Sequence, residues 1–199
     1  NLTQEQLART LMPVGDYSKP EIRRIAEEHG LMVAHKPDSQ DICFVPDGDY
    51  AGYLENEAGL HSSPGDFVDV TGKVIGRHKG IIHYTIGQRK GLGLAMGHPV
   101  FVVDIIPETN QVVIGENGDV FSDRLVCNRL NFMSIEDLTE PMHVKAKIRY
   151  NHKGSMCTIR KIGDDLVEAV FDEPVRAVTK GQAVVFYEGD HVLGGGSIC

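Results

Sequence analysis

The chain has 199 residues, 41% hydrophobic and 24% charged, which is the make-up of a soluble globular protein with room for a sizeable core. No apolar run approaches the roughly 20 residues that span a bilayer, and Asn1 to Glu5 has no signal-peptide character, so a cytoplasmic protein with no membrane partner is expected. A net charge of -8 argues against a uniformly cationic nucleic-acid binder.

The first sixty residues read as helical. Thr3 with Gln6 has the form of a capping box and Leu7 with Leu11 follows at helical spacing, which predicts a helix over residues 3–11. Ser18 with Glu21 forms a second box. Pro20 falls in the first turn, where its missing N–H does no harm, and Ile22, Ile25 and Ala26 make one apolar stripe that Gly30 ends. Between Pro37 and Pro46 lies Asp38-Ser39-Gln40-Asp41-Ile42-Cys43-Phe44, read as a loop. Spacing alone leaves Cys43 either a small buried hydrophobe or a reactive thiol. Tyr50, Tyr53 and Leu54 then give a third helix that Gly59 stops. Three amphipathic helices without a sheet make a poor core by themselves.

From Ser62 the composition turns to β. Phe67-Val68-Asp69-Val70 and Lys73-Val74-Ile75-Gly76 flank a tight turn at Thr71-Gly72. Residues 80–85, Gly-Ile-Ile-His-Tyr-Thr, read as a further strand, followed by the basic glycine loop Gly87-Gln88-Arg89-Lys90-Gly91-Leu92-Gly93. These glycines fit neither Gly-x-Gly-x-x-Gly nor the phosphate-binding loop with its Lys-Ser/Thr, but they would let backbone approach a phosphate or sugar. Residues 101–106 and 111–115 form a hairpin. After a boundary near Asn117-Gly118 come six short strands, at 124–132, 142–150, 154–162, 165–172, 182–187 and 191–195, which predict a small closed barrel without exposed edges. Gly194-Gly195-Gly196 reads as a bulge or close backbone crossing. The expected class is thus α+β, mainly β: a helical segment over 1–61, a central β domain over 62–122 and a C-terminal barrel over 123–199.

The four cysteines, Cys43, Cys127, Cys157 and Cys199, form no Cys-x-x-Cys pair and the nine histidines show no metal-ligand spacing, so neither a metal site nor a disulfide framework is expected. The charge is unevenly spread. Residues 1–60 hold five Lys/Arg against eleven Asp/Glu, and residues 61–199 hold fifteen against seventeen. Residues 70–103, with Lys73, Arg77, Lys79, Arg89 and Lys90, contain no carboxylate; neither do residues 142–163, with Lys145, Lys147, Arg149, Lys153, Arg160 and Lys161. These spans are either solvated strand faces or two patches that would orient a polyanion.

Several segments together resemble the tRNA-specific 2-thiouridylase (MnmA/TrmU) family, which places sulfur on the wobble uridine of certain tRNAs. They are Leu2-Thr3-Gln4-Glu5-Gln6-Leu7, Pro13-Val14-Gly15, Lys19-Pro20-Glu21-Ile22-Arg23-Arg24-Ile25-Ala26, Asp38-Ser39 with Ile42-Cys43-Phe44, and Tyr84-Thr85-Ile86-Gly87-Gln88-Arg89-Lys90-Gly91-Leu92-Gly93. Phe171-Asp172-Glu173-Pro174, Gly181-Gln182-Ala183-Val184-Val185-Phe186-Tyr187 and Leu193-Gly194-Gly195-Gly196 follow in family order. The family's Ser-Gly-Gly-Val-Asp-Ser loop for ATP and its first catalytic cysteine do not occur in this sequence. The resemblance therefore implies a fragment that starts in the tail of an adenine-nucleotide α/β domain and is inactive by itself.

The resemblance maps the family's second catalytic cysteine onto Cys43. Its implied role is to carry sulfur as a persulfide received from an upstream donor or relay protein, while ATP, bound outside this sequence, adenylates the uridine. Sulfur then replaces the adenylated oxygen, and the other cysteine releases it by forming a disulfide with Cys43. Sulfur exchange of this kind needs a deprotonated thiol with a second thiol in reach. Asp38 and Asp41 would oppose a thiolate, so His35, Lys36 or groups outside the sequence remain open as activators. The family's tRNA contacts map onto Arg149, Tyr150 and Gln182; charge adds Arg89 and Lys90. A stand-alone RNA-binding module with a structural Cys43, and a scaffold that docks a sulfur carrier on the acidic helices, are the competing readings.

Overall fold

The computed structural model describes residues 2–37, 45, 48–57, 59–60 and 62–199, which fall into two compact units, Leu2–Leu60 and His61–Cys199. In the first unit local sequence sets the helices. α1 (Gln4–Ala8) starts on its capping box, with the Gln6 N–H donating to Thr3 Oγ1 at 3.2 Å and the Thr3 N–H to Gln6 Oε1 at 2.8 Å. It ends before Leu11 because the Arg9 and Thr10 N–H groups close tighter three-residue bonds onto the Gln6 and Leu7 carbonyls. α2 (Lys19–Glu28) carries the second box, the Ser18 N–H donating to Glu21 at 2.7 Å, and Gly30 follows its end at φ 64°. α3 (Tyr50–Asn56) starts at Asp49, whose carboxylate accepts the Gly52 N–H at 3.0 Å. Among the described residues of this unit only Ala34, Val45 and Ala51 are buried, while Leu11, Met12, Met32 and Val33 are exposed.

The second unit opens with a four-stranded sheet in the order β2-β1-β4-β3, built from β1 (Gly65–Asp69), β2 (Val74–His78), β3 (Phe101–Ile106) and β4 (Gln111–Gly115). Both expected hairpins form, and β1 pairs parallel to β4 with Phe67 opposite Val112. Residues 80–85 are not a strand. Ile81–His83 is a single 3₁₀ turn, closed by the His83 N–H on the Gly80 carbonyl and the Tyr84 N–H on that of Ile81. Packing overrides the β-rich local sequence: the turn lays the Tyr84 ring edge-on to Phe67 and His78, with centroids 5.2 and 5.6 Å away. His78 is buried there, its ring held by the Gly80 N–H at 3.1 Å and the Asn110 carbonyl at 3.1 Å. Tyr84, Leu92 and Val100, from the segment between β2 and β3, complete the core of Phe67, Val102, Val112 and Ile114.

The remaining strands close a six-stranded barrel in the order β10-β5-β8-β7-β6-β9. They are β5 (Phe121–Phe132), β6 (Met142–Lys147), β7 (Ser155–Gly163), β8 (Leu166–Arg176), β9 (Ala183–Glu188) and β10 (His191–Ile198). Inward positions alternate with exposed ones, and Cys127 and Cys157 pack fully buried beside Val144, Ile159, Val167 and Phe186. β6 ends at Lys147, three residues short of expectation. β8 runs four further, to Arg176, by bulging on its β5 side: Ser122 faces Val175 and Arg124 faces Val170, while Phe171 keeps its place opposite Cys157 of β7 and Pro174 needs no ladder partner. Gly194, Gly195 and Gly196 mark a close crossing with two register shifts. A Cβ on Gly194 would lie 2.6 Å from the Asn131 carbonyl oxygen, and one on Gly195 would collide with that of Val184.

Candidate nucleic-acid interface

The residues expected to touch RNA converge on one corner of the barrel, where β8 ends. Ala177 there adopts a left-handed backbone at φ 56°, and its N–H donates to the Val120 carbonyl at 2.7 Å. Arg149, in the turn after β6, donates through Nη1 to the Arg176 carbonyl at 3.0 Å and to that of Ala177 at 3.4 Å. Two backbone carbonyls thus hold the guanidinium by one nitrogen and leave the rest of its donor fork for an acceptor. Tyr150, next in the turn, is 96% exposed. The His152 N–H closes the turn on the Arg149 carbonyl at 3.0 Å, and Gly154 leaves it at φ 92° beneath the Lys145 side chain. Burial, and then the neighbouring Arg149 charge, hold the His152 pKa below the ordinary histidine value, so this ring adds little positive charge at neutral pH. On the other side of the corner, Thr179 Oγ1 donates to the Ala177 carbonyl at 3.1 Å and the Gln182 N–H to that of Thr179 at 3.2 Å, which leaves the Gln182 side chain exposed.

The basic loop meets the same corner. A Cβ placed on Gly87 would lie 3.0 Å from the Ala177 methyl, so a larger residue fits there only with a shift. Gln88 organises the loop: its Oε1 accepts the Thr85 N–H at 3.0 Å and its Nε2 donates to the Lys90 carbonyl at 2.9 Å. The Gly87 N–H to Val102 and the Val102 N–H to Gln88 fasten it to β3. Arg89 and Lys90 follow, both exposed and without an ion pair among the described residues.

Three family profiles cover the chain in sequence: "tRNA methyl transferase HUP domain" over 1–47, "tRNA methyl transferase PRC-barrel domain" over 53–116 and "Aminomethyltransferase beta-barrel domain" over 122–198. The tRNA-specific 2-thiouridylase MnmA of Lachnoclostridium phytofermentans is 62% identical over 198 residues, covering all of this chain and 56% of the relative. The same-named proteins of Clostridioides difficile and Carboxydothermus hydrogenoformans are 54% and 53% identical, covering 55% and 54% of their lengths. The chain belongs to the tRNA-specific 2-thiouridylase family. It spans about half the length of the relatives it matches.

Cys43 and its loop from Asp38 lie outside the described residues. Cys127 and Cys157 sit in the barrel core, where burial pushes both thiols up to about 12 and keeps them protonated. Cys199 is exposed. Among the described residues no group of His, Cys, Asp and Glu could hold a metal ion, and no helix is long and apolar enough to cross a membrane.

The structure trims the two carboxylate-free spans. Arg160 binds Glu168 through Nε and Nη2, each at 2.7 Å, Lys161 binds Asp137 at 2.6 Å, and Arg77 lies 3.7 Å from Asp66. Strand pairing brings Asp66 and Glu168 to their partners, the loop between β5 and β6 brings Asp137, and all three carboxylates come from outside the spans. Two further cations lie between sheet and barrel. Arg176 donates to Asn117 at 2.7 Å and lies over the Phe101 and Phe121 rings at 4.8 and 5.8 Å, joining sheet to barrel. Lys180 lines both recesses between sheet and barrel, about 610 and 400 Å3, with Ile86 and Asp104. Neither had a sequence signal, since Arg176 follows the acidic Asp172-Glu173 and Lys180 stands alone.

Proposed function

We propose that this chain is the tRNA-gripping part of a tRNA-uridine 2-sulfurtransferase that 2-thiolates the wobble uridine, with Cys43 as its sulfur carrier. The observation that carries the reading is the barrel corner: one Arg149 nitrogen fixed by two carbonyls, an almost fully exposed Tyr150 beside it, and Gln182 on the same backbone corner, in a chain aligned over 198 residues with proteins named tRNA-specific 2-thiouridylase. Arg149 bridges phosphate oxygens, Tyr150 stacks on a splayed base, and Gln182 reads a base edge or a ribose hydroxyl. Arg89 and Lys90 extend the contact from the central sheet.

Cys43 receives sulfur from an upstream persulfide donor; its terminal sulfur bonds to the uridine C2 as the activated C2 oxygen leaves, and a second cysteine thiolate then attacks Cys43 Sγ, forming a disulfide and releasing the 2-thio group. Adenine nucleotide, when bound, supplies the activation of the uridine oxygen. The family's Ser-Gly-Gly-Val-Asp-Ser loop for that nucleotide does not occur in this sequence. Alone it is expected to bind tRNA without turnover.

The decisive test replaces Cys43 by Ser in the full-length enzyme. Thiolation is expected to vanish with tRNA affinity nearly unchanged, and a persulfide on Cys43 should be seen by mass spectrometry after incubation with a sulfur donor. Retained thiolation sinks the catalytic assignment and leaves an RNA-binding module in which Cys43 is structural.

A further inference from the structure

We propose that the glycine turn at residues 89–94 is a binding site for one backbone phosphate of the RNA, distinct from the Arg149 contact. The inference rests on the RNA-binding reading above. Arg89, Gly91, Gly93 and His98 help line a polar recess of about 300 Å3 on the surface of the central sheet. No phosphate-loop signature marks it, so the case rests on donors, shape, charge and rigidity.

The donors are backbone amides. Among the described residues the N–H groups of Arg89, Lys90, Gly91, Leu92, Gly93 and Leu94 donate to no protein acceptor. Gly91 and Gly93 are left-handed, at φ 76° and 70°, on either side of Leu92. Turns that contain left-handed residues leave successive N–H groups on one concave side, an arrangement that binds anions. The shape fits as well. A Cβ on Gly93 or Gly97 would meet nothing within 4 Å, so these glycines serve backbone conformation and leave the space before them open.

The charge is favourable. Arg89 lines the recess, exposed and without an ion pair among the described residues, and its guanidinium has the forked geometry that suits phosphate oxygens. Glu116 approaches the recess only through His98, whose Nε2 lies 3.9 Å from it. The turn is also preorganised. Leu92 is buried with Phe67 and Tyr84, and the Gln88 side chain ties Thr85 to Lys90 at the start of the turn, so little ordering accompanies binding. One cation and a small open recess suit a single phosphate of a chain better than a free nucleotide. Contact between Gly87 and Ala177 fixes this turn relative to Arg149, so one RNA can reach both.

The test measures binding of unmodified tRNA to the full-length protein over a series of salt concentrations. Arg89→Gln is expected to weaken binding about tenfold, as loss of one charge-assisted hydrogen bond implies, and to lower the slope of log affinity against log salt by roughly 0.7 to 0.9, one phosphate's worth. Arg89→Lys should keep the slope while losing part of the affinity. Gly93→Ala should lose affinity with the Arg89 charge intact. Arg149→Ala reports on the underlying reading. If Arg149→Ala weakens binding while Arg89→Gln and Gly93→Ala do not, the phosphate site is wrong and RNA binding stands. If no variant has an effect, RNA binding by this face is itself wrong. A methylphosphonate scan gives an independent readout: one neutralised position should cost the wild type affinity but not Arg89→Gln, and the lack of any such position overturns the proposal.

Discussion

At the residue scale, the turn after β6 separates holding from reading. Arg149 is spent partly on the corner, through the Arg176 and Ala177 carbonyls, whereas Tyr150 is 96% exposed and open to a base. Tyr150→Ala should therefore cost about 1–3 kcal/mol of tRNA affinity with no change in melting temperature, while Arg149→Ala should lower both. Filter binding and thermal melting separate the two. His152 adds a pH dependence. Its folded pKa lies below the ordinary 6.5, so the unfolded chain takes up the proton first as the pH falls. Stability is full above the ordinary value, declines between that value and the lowered one, and then levels. Denaturant titrations at stepped pH should show this decline, and His152→Asn should flatten it. The core thiols allow a simpler check. With both pushed up to about 12, Cys127 and Cys157 should resist alkylation in the native protein at mildly alkaline pH, whereas exposed Cys199 should react. Rapid native labelling of either core cysteine, read by mass spectrometry, would contradict the barrel packing.

At the scale of elements, what was legible depended on whether the cause was local. The two capping boxes and the alternating strands of the barrel carry their signals in adjacent residues, and they form as expected. Residues 80–85 do not, because the fate of that β-rich run is settled by Phe67 and His78, which take Tyr84 into their ring cluster. The bulge that lets β8 reach Arg176 was equally hidden, since Pro174 reads as a stop until a partner strand is seen to skip past it. The triple glycine is a feature whose reading as a crossing holds in space and can be tested. Gly195→Ala puts a methyl group into the Val184 carbonyl across β9, where only a backbone shift can relieve the clash. It should destabilise the barrel by about 1–3 kcal/mol, visible as a lower melting temperature, while Gly118→Ala, whose Cβ meets nothing, should not.

At the scale of the molecule, the acidic net charge conceals a surface sorted by pairing. Arg160, Lys161 and Arg77 pair with carboxylates, whereas Arg149 sits at the corner by Ala177 and Arg89 and Lys90 stay exposed in the loop that follows Gly87. The candidate site itself was only partly readable: Arg149, Tyr150 and Gln182 came through family resemblance and Arg89 and Lys90 through charge. Arg176 was invisible because its partners, Asn117, Phe101 and Phe121, are far from it in sequence and meet it only in the fold. It is nevertheless the residue that joins the sheet bearing the basic loop to the barrel bearing Arg149. Its hydrogen bond and its place over two aromatic faces are together worth about 2 kcal/mol. Arg176→Met should lower stability by about that amount and weaken tRNA binding by more than its own charge explains, because Arg149 and the basic loop no longer share a fixed geometry. A double-mutant cycle reads this directly. In the parent, Arg89→Gln and Arg149→Ala should weaken binding with a measurable coupling, since one bound RNA spans both; in the Arg176→Met background the two losses should become independent. Equal coupling in both backgrounds would show that the corner at Ala177 holds its shape without Arg176, and that the guanidinium serves stability alone.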